Sequence, residues 1–362
     1  MRAGSGPGAY TLLGELRPGA PLPEPLPGPG EALRVFTGTT LPDAGWHVVR
    51  QEDTDHPGDA DRSHIRLHAA AGPDHLRPRG SHARAGTSLL PAGTRLGPGA
   101  LALLASMGYC HPWVAPRIPV AYFATGSELV APEALHPHDL RTADANTPLM
   151  QALLEAQGAE LRTCARLDES TDALARGIEN ALARGCRTIL VGGGSSLGDH
   201  DHTADALAAC GFDLRIRGVR SRPGKPLIVA TRGPVLAFGL PGNPLSHFVC
   251  HHLFVARALD RLAGLQPRER IAVHCDLPLP EDPARDTWWP ARLALQDGRL
   301  HATPLPWTDS SDLRSLAFVD ALLHLPAADP GPPVPARLPP GMRLALPLHP
   351  AFPHALSTAP HA

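Results

Sequence analysis

Apolar positions change their rhythm twice along this chain. Up to about residue 117, Gly and Pro interrupt the text every few residues and leave short apolar runs at 32–37 and 46–49, which predict strands of a mostly β region. One longer run, 99–107, predicts a short helix closed by Gly108 as its C-cap. From 118 to about 264 the pattern alternates between strand and helix. The apolar runs 118–125, 188–191, 227–230 and 235–238 predict strands. Asn146 reads as the cap of a helix that stops at Gly158; Leu174, Ile178 and Leu182 mark one face of a second helix closed by Gly185; 244–262 predicts a third. Such alternation implies a parallel or mixed sheet covered on both faces. From 269 onward short strands and prolines return, with Gly298 as a turn, and a small β domain is expected.

This organisation divides the chain into a β-rich domain at 1–76, a mixed α/β linker domain at 77–117, a three-layer α/β/α domain at 118–267, a β domain at 268–349 and a tail at 350–362. A length of 362 residues is consistent with two to four domains. Hydrophobic residues at 43% and charged residues at 19% belong to a folded chain. The balance of 33 Lys plus Arg against 35 Asp plus Glu lacks the basic excess that a general nucleic-acid binder needs. The six cysteines form no CxxC pair, so they read as small buried thiols in a reducing compartment. No apolar stretch approaches ~18 residues and residues 1–10 carry no leader pattern, so no membrane partner is expected and the cytoplasm is the expected location.

Four segments carry candidate chemistry. Gly192-Gly193-Gly194-Ser195-Ser196-Leu197-Gly198 follows a strand, where successive amides can form an anion nest; a plain tight turn would explain it about as well. Arg222-Pro223-Gly224-Lys225-Pro226 puts two cations on a stiff loop, suited to phosphate or an oxyanion such as molybdate, or else it is a solvated basic loop. In Gly239-Leu240-Pro241-Gly242-Asn243-Pro244-Leu245-Ser246, Asn243 can cap a helix with Pro244 at its first position, and the doubled Pro and Gly exceed what a cap needs. Glu128, in Thr125-Gly126-Ser127-Glu128-Leu129, and Asp201 are candidate Mg²⁺ ligands; a surface charge or helix cap is the bland alternative for either.

Read in order, these segments resemble the molybdopterin molybdenumtransferase family (MoeA and the gephyrin E-domain). Arg34-Val35-Phe36-Thr37-Gly38 resembles its R-I-x-T-G, Thr125 to Leu129 its T-G-D-E-L, and Asp144-Ala145-Asn146 its D-S-N. Gly193 to Asp201 resembles G-G-V-S-V-G-x-x-D, Arg222 to Pro226 K-P-G-K-P, Gly239 to Ser246 G-L-P-G-N-P-V-S, and Ser310 to Ala317 S-G-x-L-x-S-L-A. The resemblance implies a central domain of the molybdopterin-binding type in an elongated homodimer, inserting molybdate into adenylylated molybdopterin with Mg²⁺ and releasing AMP. It implies that Glu128 and Asp201 place metal and substrate and that Asp168 adds another acid. Thr37, Lys225 and the 192–198 loop would bind phosphate, pterin or molybdate, with Ser310 near the site. A molybdopterin adenylyltransferase or a molybdoenzyme is the implied partner.

The chain also departs from the pattern. The M-D-G-Y-A arm is reduced to Gly8-Ala9-Tyr10, Ser81 and His82 stand for the acids of G-E-D, Ser127 for the first acid of T-G-D-E-L, and Arg222 for a lysine. Either the chain begins short of that arm, or it is a paralogue with weakened chemistry. The rival to an insertase is therefore a molybdopterin-binding chaperone or scaffold, and a third reading, from the α/β loops alone, is an adenylyltransferase.

Overall fold

A computed structural model describes every residue outside positions 3, 43–44, 56–62, 69, 71, 73–74, 194–200, 267, 276, 281, 328–340 and 349–362. The chain divides into two compact units, Met1–Pro91 and Ala92–Ala362. The first unit holds a four-stranded sheet of β1 (Gly8–Leu16), β2 (Glu31–Val35), β3 (Thr54–Asp55) and β4 (His64–Leu67), in the order β2-β1-β4-β3. Tyr10, Ala32, Ile65 and Leu67 form its small core. The strand expected at 46–49 is only two isolated bridges, Arg2 to Trp46 and Val48 to Gly72. The break between units falls after Pro91, within the expected linker domain. That stretch, expected to mix strand with helix, holds one helix, α1 (Pro98–Ser106), and otherwise turns and extended chain. α1 buries none of its residues.

The second unit is built on a six-stranded mixed sheet. Its members are β5 (Pro119–Thr125), β6 (Glu160–Leu167), β7 (Thr188–Gly192), β8 (Asp213–Arg217), β9 (Ile228–Arg232) and β10 (Val235–Leu240). The order is β8-β9-β10-β7-β5-β6, with β10, β7, β5 and β6 parallel, β9 antiparallel between β10 and β8, and β8 again in the direction of the parallel set. β5 and β7 are continuous apolar runs because helices cover both faces. On one face Ala121, Phe123, Ile189 and Val191 meet α3 (Thr171–Ala183) and α4 (His202–Ala209) through Leu174, Ile178 and Leu207. On the other, Val120, Tyr122 and Leu190 meet α2 (Asn146–Gln157) through Met150 and Leu154.

The last helical stretch begins as α5 (Pro244–Cys250), widens into a π-turn at His251–Val255 and resumes as α6 (Ala256–Leu262), where one helix was expected. The C-terminal strands β11 (Ile271–His274), β12 (Asp286–Gln296), β13 (Arg299–Pro304), β14 (Ala321–Leu325) and β15 (Met342–Pro347) form the expected β domain. β12 pairs with both β13 and β14, so the sheet closes on itself. Ser221–Arg222 joins it from the α/β region by pairing with β12. The expected tail lies outside the described residues. Four of the six cysteines are buried, but Cys110 and Cys164 are exposed, contrary to the expectation of buried thiols. No helix among the described residues is long and apolar enough to cross a membrane.

Three imidazoles, His247, His251 and His252, are buried in the last helical stretch. Burial lowers their pKa, to about 4 for His247, about 3 for His252 and well below the usual value for His251. An unfolded histidine titrates near 6.5, so the unfolded chain takes up protons that the folded chain refuses. Stability is therefore full above that value and falls as pH drops through the interval down to the folded values. Each ring contributes a slope of up to about 1.4 kcal/mol per pH unit. Urea midpoints should fall steadily below about pH 6.5; a midpoint constant down to about pH 5 would show that these rings are not sealed from solvent.

Candidate functional site

Strand register brings the glycine-bearing loops to one edge of the sheet. Thr125 lies opposite Leu167, Ala124 opposite Gly192, and Gly192 opposite Leu240. The carboxyl ends of β5, β6, β7 and β10 are thus level, and they feed the 126–128 loop, Asp168, Gly193 and the 241–243 loop. Ile228 opens β9 opposite Gly239, so the loop carrying Arg222 to Pro226 reaches the same edge. A carboxyl edge of parallel strands is where α/β sheets bind ligands.

Gly192 and Gly193 are required by close approach. A side chain on Gly192 would meet the Tyr122 hydroxyl at 2.5 Å and His247 Cε1 at 2.6 Å. Gly193 has φ +92°, and a Cβ there would overlap the Thr125 carbonyl oxygen. A Cβ on Gly242 would lie 3.8 Å from Gly193 Cα, so the two loops touch backbone to backbone. Gly194, Ser195, Ser196 and Gly198 lie outside the described residues, and nothing about that half of the loop enters the geometry.

A cavity of about 510 Å³ opens over this edge. One wall is Arg222-Pro223-Gly224-Lys225-Pro226, another is Pro241-Gly242-Asn243 with Ser246, and the C-terminal domain supplies Arg285 and Trp307 to Ser310. Gly224 takes φ +103° with Cys250 Sγ 2.7 Å from where a Cβ would stand, so the loop lies flat on α5. Lys225 is exposed and makes no ion pair among the described residues. The Arg222 guanidinium lies 5.7 Å from the Trp307 ring centroid and 3.9 Å from Asp282. Arg285 holds the same Asp282 at 2.7 Å. Backbone and guanidinium hydrogen bonds keep the Asp282 carboxyl below its ordinary pKa, so it stays ionised between the two arginines. Asp309 is the acid of the lining, its pKa lowered by hydrogen bonds from Ser311.

Side chains from different parts of the fold tie the 241–243 loop down. His247 Nδ1 lies 3.0 Å from the Pro241 carbonyl, Asn146 Nδ2 donates to the Gly242 carbonyl at 2.6 Å, and Asn243 Nδ2 donates to Ser310 Oγ at 2.6 Å. Two cap assignments change accordingly. Asp144, not Asn146, caps α2, accepting from the Thr147 amide at 3.0 Å, which frees Asn146 for the loop. Asn243 occupies the cap position of α5 but gives no side-chain cap; the Ser310 carbonyl accepts from the Leu245 amide at 3.0 Å instead. Pro244 stands at the first helical position, as its missing N–H favours.

The acids behave differently from one another. Glu128 is exposed and its carboxylate folds back over Gly126. Asp201 is 4% exposed and caps α4, accepting from the Ala204 amide at 3.1 Å, with Arg217 at 3.9 Å; burial raises its pKa. Asp168 is exposed just past β6, its carbonyl accepting from the Ser170 amide. Among the described residues no three His, Cys, Asp or Glu side chains form a metal-holding group. Thr37 lies in an exposed turn of the first unit. Sequence reasoning missed Arg285, Trp307, Thr308 and Asp309. Arg285 reaches the cavity because Ser221 pairs with Asp286, a contact across the chain that no local spacing signals.

Residues 121–261 match the family described as a probable molybdopterin binding domain. Residues 1–108 match the MoeA N-terminal region (domain I and II), and residues 272–332 the MoeA C-terminal region (domain IV). The chain is 34% identical over 310 residues to a molybdopterin molybdenumtransferase of Nostoc sp., covering 83% of this chain and 70% of that one. It is 31% identical to that of Bacillus subtilis, covering 84% and 71%. Its fold is similar to the crystal structure of a molybdopterin biosynthesis MoeA protein from Pyrococcus horikoshii, with TM-score 0.69, 22% identity, and coverage of 94% and 81%.

Proposed function

Because the chain belongs to the molybdopterin molybdenumtransferase (MoeA) family, we propose that it works in molybdenum cofactor biosynthesis, inserting molybdenum from molybdate into adenylylated molybdopterin and releasing AMP. One observation carries the reading: a cavity lined by Arg222, Lys225 and Arg285 opens over the level carboxyl ends of the sheet, beside paired glycine loops. Fixed cations in a partly enclosed site favour a dianionic oxyanion over water. In this reading Lys225, Arg222 and the Gly224 turn grip the oxyanion, and Asn243, Pro244 and Ser310 shape the opposite wall. The glycine loop at 192–198 meets phosphate or pterin, and Asp168 adds an acid at the rim.

A bound Mg²⁺ would supply positive charge beside the pyrophosphate of the substrate. Glu128 fits a role in holding it, since Mg²⁺ takes one or two carboxylates and fills its shell with substrate phosphate and water. Asp201 fits less well, because its carboxylate is buried and engaged as a helix cap. With Ser127, Ser81 and His82 where the family carries acids, we infer a metal that arrives with the substrate and a lowered turnover. The proposal extends to a cytoplasmic homodimer supplied by a molybdopterin adenylyltransferase.

A purified, cell-free assay of molybdate-dependent AMP release tests the function. Binding of adenylylated molybdopterin without release of AMP would leave only the chaperone or scaffold reading. In the same assay Glu128→Gln should raise the Mg²⁺ requirement about 10- to 100-fold with an unchanged melting temperature. Asp201→Ala should instead cost about 1 kcal/mol of stability through the lost cap. If Asp201→Ala melts like the parent and loses turnover, that acid belongs to the chemistry.

A further inference from the structure

His247 is fully buried beneath the 241–243 loop and is absent from the cavity wall, although its neighbour Ser246 belongs to it. It stacks edge-on against Tyr122 of β5, with ring centroids 5.8 Å apart, and Gly192 presses on its Cε1. Packing alone would be met by an aliphatic or phenyl side chain. The imidazole adds one polar contact, Nδ1 at 3.0 Å from the Pro241 carbonyl oxygen. A carbonyl only accepts, so Nδ1 carries the proton. Burial keeps the ring neutral around pH 7, with its pKa at about 4, so that single proton is committed there. The other nitrogen, Nε2, has no partner among the described residues, and neither has the Tyr122 hydroxyl.

The consequence lies in the next peptide. The Pro241–Gly242 bond is trans, and in a trans peptide the C=O and N–H point in opposite directions. Holding the Pro241 carbonyl onto His247, which is no part of the cavity wall, turns the Gly242 N–H away from that buried ring, and Gly242 itself lines the cavity. Nothing among the described residues accepts from that N–H. Asn146 holds the following carbonyl, that of Gly242, at 2.6 Å, so the loop cannot relax by rotating the neighbouring peptide.

We infer that His247 is a positioning residue whose Nδ1–H aims the Gly242 amide at the anion bound in the cavity. The inference rests on the oxyanion reading of that cavity and adds a neutral donor to its cations. A preorganised backbone N–H keeps its direction without paying for reorientation when the anion enters.

The test is calorimetric titration of the full chain with sodium molybdate, alongside the Gly242 amide signal by NMR. The unaltered chain should bind molybdate and shift that amide. His247→Phe, which keeps a ring but loses the donor, should weaken binding about tenfold and abolish the amide shift. His247→Asn, whose Nδ2 stands at the same distance from the backbone as Nδ1, should restore both. In the insertion assay His247→Phe should raise the molybdate KM with kcat little changed. Equal binding by the parent and His247→Phe overturns the positioning role. Equal losses in the Phe and Asn variants overturn it too, since packing alone would then be the cause. If His247→Phe does not fold, the amide shift in His247→Asn decides alone: its absence counts against the role. Failure of the unaltered chain to bind molybdate overturns the oxyanion reading, and this role with it.

Discussion

Lys225→Met should cut molybdate-dependent turnover by about 100-fold while moving the melting temperature by no more than a degree or two. The loss corresponds to about 2.7 kcal/mol of electrostatic stabilisation, the scale on which removal of one fixed donor from an enclosed site acts. Stability is spared because the Lys225 side chain is exposed and has no ion pair among the described residues; the loop is held instead by its backbone, with the Lys225 carbonyl accepting from the Val219 amide at 2.9 Å. Arg222 serves as the contrast. Its guanidinium rests by Trp307 and Asp282, so Arg222→Met would disturb the C-terminal wall as well as the charge. Steady-state kinetics in molybdate together with a thermal melt reads both quantities. Unchanged turnover in Lys225→Met would show that the cavity cations do not hold the anion.

Gly193→Ala is expected to have the largest effect on folding. Two costs add at this position: a left-handed backbone at φ +92°, and a Cβ driven into the Thr125 carbonyl of the neighbouring strand. Each is worth about 1–3 kcal/mol, so the sum is on the order of 3 kcal/mol or more. For a unit of this size the melting temperature should fall by about 6–12 °C. Gly242→Ala is the control. It faces nothing closer than 3.8 Å and has no left-handed φ, so it should melt within about a degree of the parent. A Gly193→Ala protein as stable as the parent would mean that β5 and β7 are not in the register that levels their ends.

The loops that build the cavity were legible because their residues carry the signal themselves. Proline removes a donor and presets φ, glycine admits close backbone approach, and both can be read without knowing any partner. The α/β core was legible for a similar reason: Val120 to Thr125 and Thr188 to Gly192 are apolar on both faces, and Leu174 with Ile178 marks one side of a helix. The expected strand at 46–49 failed because four residues, three of them apolar, make a strand only when a neighbour is in register over their whole length. The tertiary partners of short polar side chains were also hidden. Asn146 and Asn243 look like helix caps, yet each donates to a group about 67 to 96 residues away. His247 had no readable signal at all, being one histidine among 20.

The family, the layered α/β core and the cationic and glycine-rich loops were determined by the order of residues alone, since period, propensity and motif act over a few neighbours. Which loops share a cavity, that Arg285 and Trp307 to Ser310 wall it, that Asp201 is engaged as a cap and that His247 underlies Pro241 were decided only by the tertiary structure. The reason is physical: strand register and the closure of the C-terminal sheet bring together groups far apart along the chain, and their contacts depend on how whole elements pack.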